Sequence, residues 1–366
     1  MSTNASIGLV TIHHANSYGG VLQAYATKEV LSRYGNAVVI DYKSRHIANT
    51  LKLVRYDDGP RSLLRAAKDL ARLAPRKRLI AKFNEFCRTY LDVGSEEAKE
   101  QVSRGLDIAV SGSDQIWNPT VTAGLDSTYF LAKVRAKRKI SFSSSMGSYR
   151  YTSKEAEQVR EFLSDFDSLA VREGDAAEYL SGLLGRDVYQ TDDPTLLLRR
   201  DAWEKAASPP DLRRGSYILV YSLKESPLLV KAVQAASDHL KLPVIAINQN
   251  PVAGYPCDVH IKDAGPGDYL RLFLDASFVV TNSFHGTAFS CNFSKPFLTV
   301  KPEHSENRVL GLLQRLGLRE RMATNPDGIP DILAAPIFWH HVSARLGEMG
   351  KCSLDYLERA LSQPSA

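Results

Sequence analysis

Cysteine is scarce in this chain of 366 residues, and the four present, Cys87, Cys257, Cys291 and Cys352, stand far apart. None forms a CxxC pair or stands at the Cys/His spacing of a zinc site, so neither a disulfide framework nor a structural zinc is indicated. Long hydrophobic runs are missing too. No window approaches the length that crosses a bilayer, and the opening MSTNASIGLV has neither a basic start nor a long apolar core. Neither a membrane span nor a secretory signal is therefore expected, and a reducing, cytoplasmic location is the simplest home. Internal repeats and low-complexity tracts are absent as well. The net charge is only +5, an excess that suits anionic small molecules or plain solubility, and no nucleic-acid partner is expected from it. Basic clusters at 61–78 and 133–139 are compatible with solvated helix faces, and also with peripheral contact at the inner face of the cytoplasmic membrane.

Three segments share one design: a short apolar strand that empties into a small, polar turn. In Ser277-Phe-Val-Val-Thr-Asn-Ser-Phe-His-Gly-Thr-Ala-Phe-Ser290, the apolar or β-branched run ends at Thr281 and His285 follows where a helix begins. Gly286 allows close backbone approach, so the imidazole is expected at the carboxyl edge of a parallel sheet, either as a functional group or as a helix cap. Residues 7–12 form the second such strand, followed by His13-His-Ala-Asn-Ser-Tyr-Gly-Gly20 and an apolar run from Val21 to Tyr34. Two glycines at a helix start expose backbone N–H groups to an anion, although their spacing matches neither a dinucleotide fingerprint nor a P-loop. The third is Asp107-Ile-Ala-Val-Ser-Gly-Ser-Asp-Gln-Ile-Trp-Asn118, where Ser113, Asp114 and Gln115 offer donors and acceptors.

Strands and helices alternate along the chain, as in a parallel sheet. Strands are expected at 7–12, 37–41, 107–110, 139–143 and 168–171, and again at 217–221, 244–248, 278–281 and 297–300. Residues 62–90 read as two amphipathic helices broken at Pro75, and 208–215, with two prolines and a terminal glycine, reads as a hinge. These signals give an α/β fold of two Rossmann-like domains with parallel sheets facing across a cleft. The expected domains are 1–207, with the helical insertion, on the acceptor side; 216–329 on the donor side; and a C-terminal helical segment, 330–366, packing back on the first domain.

The strings HHANSYGGVLQAYA, SGSDQIWNP, SLAVREGD, TDDPTLLL and SFHGTAFS followed by KPF resemble, in that order, the polysaccharide pyruvyl transferase family. The resemblance implies a GT-B-like arrangement and transfer of pyruvate from phosphoenolpyruvate onto a sugar as a ketal. The acceptor would be a glycan or lipid-linked oligosaccharide, and no cofactor or metal is called for. Many relatives carry an arginine two residues before the histidine. Ser283 stands there in this chain, which leaves open which cation holds the donor.

Ketal formation needs a proton donor, cations for phosphate and carboxylate, and a site shielded from water. His285 is the expected general acid, with an anion required beside it to keep an imidazolium at a helix start, and His14 is the second choice. Asp114 would orient His285 or accept the proton of the attacking hydroxyl, or else cap a helix. Arg172 is expected to clamp an anion or to pair with Glu173 or Asp175. Arg308, Lys301 and Lys224 are further candidate phosphate or carboxylate ligands, and Asn282 and Ser283, in the turn that carries His285, are candidate substrate contacts. Asn16, Ser17, Tyr18, Gly19 and Ser113 are candidate contacts in the first domain. Asp192 and Asp193, adjacent in an extended chain, point opposite ways and read as a structural turn. Two other functions fit the same fold: a glycosyltransferase using a nucleotide sugar, and a glycan-binding protein without catalysis.

Overall fold

The computed structural model describes residues 5–54, 63, 66, 69–70, 72–210, 215–302 and 306–362. The rest of the basic cluster at 61–78, and residues 211–214 of the expected hinge, lie outside the described residues. Contacts divide the chain into two compact units: Met1–Lys52, Asn84–Leu198 and Glu348–Ala366 form unit 1, and Leu53–Phe83 and Arg199–Gly347 form unit 2.

In unit 1, β1 (Ser6–Val10), β2 (Asn36–Val39), β3 (Leu106–Ser111) and β4 (Ala136–Ser141) make a parallel sheet in the order β2-β1-β3-β4. A short parallel pair, β5 (Ala170–Val171) and β6 (Tyr189–Gln190), continues from β4 through the Ile140–Ser168 bridge. The order therefore reverses between β1 and β3, where Val10 stands in register with Ser111. In doubly wound sheets, ligands bind at the carboxyl ends of the strands beside such a reversal. Trp117 stacks on Phe130 at 5.4 Å within the core of this unit.

Among the described residues, unit 2 holds six parallel strands: β7 (Ile218–Tyr221), β8 (Val244–Ile247), β9 (Val259–Ile261), β10 (Phe278–Thr281), β11 (Phe297–Val300) and β12 (Met322–Ala323). Their order, β12-β11-β10-β7-β8-β9, places the reversal between β7 and β10, with Tyr221 opposite Thr281. The four central strands, β7, β8, β10 and β11, are buried along their whole length, as expected of parallel strands covered on both faces.

The units differ from the expected domains in three places. Residues 199–207 belong to unit 2 because Trp203, wholly buried, packs edge-on against Phe289 at 5.0 Å. The segment Leu53–Phe83 joins unit 2 through ion pairs of Arg78 with Asp263 and of Lys82 with Asp268. The helix Trp339–Ser362 counts with unit 1 only from Glu348, where Tyr356 donates to the Ser141 carbonyl at 2.9 Å and Arg138 donates to those of Ala360 and Leu361. Ser208, at the head of the expected hinge, is fastened within unit 2: its amide donates to the Gly267 carbonyl and its hydroxyl to Asp268. The helix Leu73–Phe86 runs through Pro75, which sits in its first turn, where no carbonyl partner is lost.

Candidate functional site

In each unit, expected site residues stand on the turns beside the reversal point of the sheet, with Arg172, Lys301 and Arg308 beyond other strand ends. In unit 1, Asp114 follows β3 with φ +74°, a left-handed conformation uncommon outside glycine. Its Oδ1 accepts from the Gln115 amide at 2.8 Å. A Cβ added at Gly20 would lie 3.4 Å from its Oδ2, in ordinary contact, so the carboxylate rests over the first turn of the helix Tyr18–Leu31. The positive end of that helix attracts it there. Asp114 thus occupies a turn rather than a helix cap. Ser17 is the cap, accepting from the Gly20 amide at 3.2 Å. Asn16 is half-buried and its amide donates to Thr50, while Tyr18 and Gly19 are buried in the helix start. Ser17 and Asn16 remain on the surface side of this turn, and the ring of Tyr18 does not.

Arg172, expected as an anion clamp, is buried among three carboxylates. It pairs with Asp193 through Nη1, with Glu173 at 3.2 Å and with Asp114 at 3.9 Å. Burial alone would pull its pKa down, but Glu173, Asp193 and Asp114 outweigh burial and raise it. Glu173 is held in turn by the Ser145 hydroxyl at 2.7 Å, and Asp175 pairs instead with Arg150. A cation so outnumbered by carboxylates offers little attraction to a further anion, so Arg172 organises unit 1 rather than capturing a donor. Asp193 also accepts from the amide and hydroxyl of Thr195, whereas Asp192 accepts from Ser353, so the adjacent carboxylates serve different partners. Among the described residues, no group of three or more His, Cys, Asp and Glu is placed to hold a metal ion.

Ser113, expected as a substrate contact, is wholly buried, and its hydroxyl donates to the Gln23 side chain. His14 is buried too, with Nε2 facing the Ser44 carbonyl at 3.4 Å, which assigns the ring hydrogen to Nε2. Burial first, and then the neighbouring His13, pulls its pKa down to about 4. A ring that stays neutral at pH 7 keeps only the N–H of a neutral imidazole, a far weaker acid than an imidazolium, which argues against His14 as the second-choice acid. Between about pH 4 and 6.5 the unfolded chain binds a proton at His14 that the folded chain refuses, so stability falls as the pH drops through this window. Urea unfolding from pH 7 to 4 should show wild type losing up to about 3 kcal/mol more than His14→Gln. Equal losses would show that burial does not hold the ring neutral.

In unit 2, Thr281 ends β10 and organises the turn behind it. Its hydroxyl donates to the Tyr221 carbonyl at 2.7 Å and accepts from the Ser283 amide at 3.1 Å. A Cβ at residue 286 would lie 2.2 Å from this oxygen, so only glycine fits there. Ser283 opens the helix Phe284–Asn292 without capping it, and its side chain instead bonds Tyr221, whose pKa burial raises and that bond partly offsets. Asn282, almost buried, accepts from the Leu223 amide at 2.9 Å and donates to the Lys224 carbonyl at 2.6 Å. The two turns of the reversal point are thereby clamped together, with Lys224 exposed on one and half-buried His285 on the other. The Arg308 guanidinium lies 5.6 Å from the Phe284 ring, which itself meets the His285 ring edge-on at 5.2 Å. Exposed Lys301 leaves the end of the neighbouring strand β11.

The structure therefore brings together Asn282, Ser283, His285, Lys224 and Arg308 in unit 2, and Asp114, Arg172, Ser113 and Ser17 in unit 1. The sequence reading took Asp192 and Asp193 as a structural turn and Thr281 as a strand end, but missed Gln23, Thr11 and Tyr221 as residues that hold these turns.

Among solved structures, an S. aureus MnaA–UDP co-structure is similar at 14% identity and a TM-score of 0.54, with 98% of each chain covered. The UDP-GlcNAc 2-epimerase from Neisseria meningitidis bound to UDP-GlcNAc is similar at 11% identity and a TM-score of 0.51, covering 96% of this chain and 99% of that one. These likenesses establish a GT-B-like α/β fold with parallel sheets. No curated protein matches. No helix among the described residues is long and apolar enough to cross a membrane. The family profile described as polysaccharide pyruvyl transferase matches residues 18–304, a span that includes both reversal-point turns from Tyr18 onward, and the chain belongs to that family.

Proposed function

We propose that the protein moves the enolpyruvyl group of phosphoenolpyruvate onto a sugar of a bacterial polysaccharide or its lipid-linked precursor, closing a pyruvate ketal and releasing phosphate. The reading is carried by one observation: the family match spans the unit 2 turn in which His285 stands in the first turn of a helix, between Asn282, which bonds the Lys224 carbonyl, and Gly286. In this reading one acceptor hydroxyl adds to C2 of the enol phosphate while C3 takes a proton from His285. A second hydroxyl then displaces phosphate from C2, and the two hydroxyl protons leave to base and solvent. Lys224, Lys301, Arg308 and the amides at the helix start hold the donor's phosphate and carboxylate in unit 2. Ser283 leaves the guanidinium role to Arg308. In unit 1, Asp114, Asn16 and Ser17 are the residues assigned to the acceptor side. No resident cofactor or metal enters these steps, and the work is done in the cytoplasm, where the donor and the lipid-linked precursors are made available.

The fold neighbour with UDP makes a nucleotide sugar the competing donor. Purified protein incubated with phosphoenolpyruvate and a panel of glycans should release inorganic phosphate in step with a glycan mass gain of one pyruvate ketal. Glycosylation from a nucleotide sugar, with no ketal, would transfer the assignment to the glycosyltransferase reading. Binding of glycan with neither reaction would leave a non-catalytic member of the family.

A further inference from the structure

We propose that Gln23 is a positioning residue for Asp114, an inference that rests on the acceptor-side role given to Asp114 above. Gln23 is wholly buried on the helix Tyr18–Leu31, and its amide joins all the turns that meet at the β1/β3 reversal. Its Nε2 faces the Gly20 carbonyl at 2.7 Å, the Thr11 hydroxyl at 2.9 Å and the Ile12 carbonyl at 3.2 Å, and its Oε1 accepts from the Ser113 hydroxyl. Thr11 closes the ring by donating to the Ser113 carbonyl at 3.1 Å. The hydroxyl and the carbonyl of Ser113 are thereby fixed by residues outside its own loop.

Asp114 is the next residue, and its left-handed backbone, which aspartate tolerates better than most residues but seldom adopts, gains from a constraint on the chain just before it. Gln23 supplies that constraint from the same helix whose Gly20 lies under the carboxylate. Gln23 thus ties the residue before Asp114 to the helix start through a side chain that need touch no substrate. A displacement of about 1 Å at a reacting group can cost about a hundredfold in rate, so a rigid tie at this point has a direct kinetic consequence.

Two variants test the role. Gln23→Met keeps the volume and removes every bond, and Ser113→Ala removes one bond with little risk to folding. Hydrogen exchange should speed up about tenfold or more at the Gln115 and Ser145 amides, which bond Asp114 itself, while amides inside β1 and β3 keep their protection. With phosphoenolpyruvate and an accepted glycan, kcat should fall about ten- to a hundredfold for Gln23→Met, less for Ser113→Ala, with donor KM within about twofold of wild type. Unchanged exchange at the two amides in either folded variant overturns the proposal, whether or not the wild type transfers pyruvate. Uniformly faster exchange through β1 and β3 also overturns it, by showing a general packing role. Absence of transfer by the wild type would refute the proposed function separately, and the exchange data would still decide the part played by Gln23.

Discussion

His285→Ala should lower phosphoenolpyruvate-dependent transfer by about 10²- to 10⁴-fold, the range that loss of a positioned general acid produces, while the fold stays intact. The structure separates these two effects. His285 is half-buried and lies one residue inside its helix, and the turn before it is held by Thr281, Asn282 and Gly286. Alanine suits a helix interior and removes none of these ties. The expected pattern is therefore a thermal midpoint within a few degrees of wild type, a large fall in kcat and a donor KM that changes little. Phosphate release and ketal mass measured on the same samples provide the check. A variant whose KM rises while kcat stays normal would make His285 an anion ligand. Wild-type turnover would move the acid elsewhere, and not to His14, which burial keeps neutral.

Much of this architecture is legible in the chain because parallel strands buried on both faces leave uninterrupted apolar runs. The expected strands at 278–281 and 297–300 coincide with β10 and β11. The strands that escaped are those without such a run: β6 is two exposed residues, β9 places His260 between Val259 and Ile261, and β12 is two residues long. Unit membership escaped for another reason. It rests on contacts between distant residues, such as Trp203 with Phe289 and Arg78 with Asp263, that no local pattern announces. The site divides in the same way. The turns bearing His285, Asp114 and Ser17 stand out because glycine and small polar residues follow a strand, and Gly286 proves necessary for the steric reason its position suggests. The fate of Arg172 could not be read, since two of its three carboxylate partners come from other strand ends.

Arg172→Met should destabilise unit 1 by about 3–5 kcal/mol, because it strips the cation from a buried group in which Asp193 is wholly covered and Glu173 nearly so. Loss of the pair would leave carboxylates facing one another without water to solvate them, a far larger cost than loss of a surface ion pair. The two views of Arg172 predict opposite signatures. As a donor clamp, its replacement by lysine would raise the apparent KM for phosphoenolpyruvate with stability little changed. As the hub of the carboxylate group, the same Arg172→Lys change should lower the unfolding midpoint, since one ammonium cannot span the three carboxylates that the guanidinium reaches, and donor KM should hold steady. Because Asp114 is one of those carboxylates, kcat should fall with stability. Asp193→Asn supplies the decisive comparison: it removes the charge most directly opposed to the guanidinium but keeps an oxygen for Thr195. If the cost of Arg172→Met comes from uncompensated negative charge, the double variant should lose less stability than the two single losses added together, by about 1–3 kcal/mol. Urea unfolding of the four proteins measures this coupling, and strictly additive losses would show that the guanidinium stabilises unit 1 through packing alone.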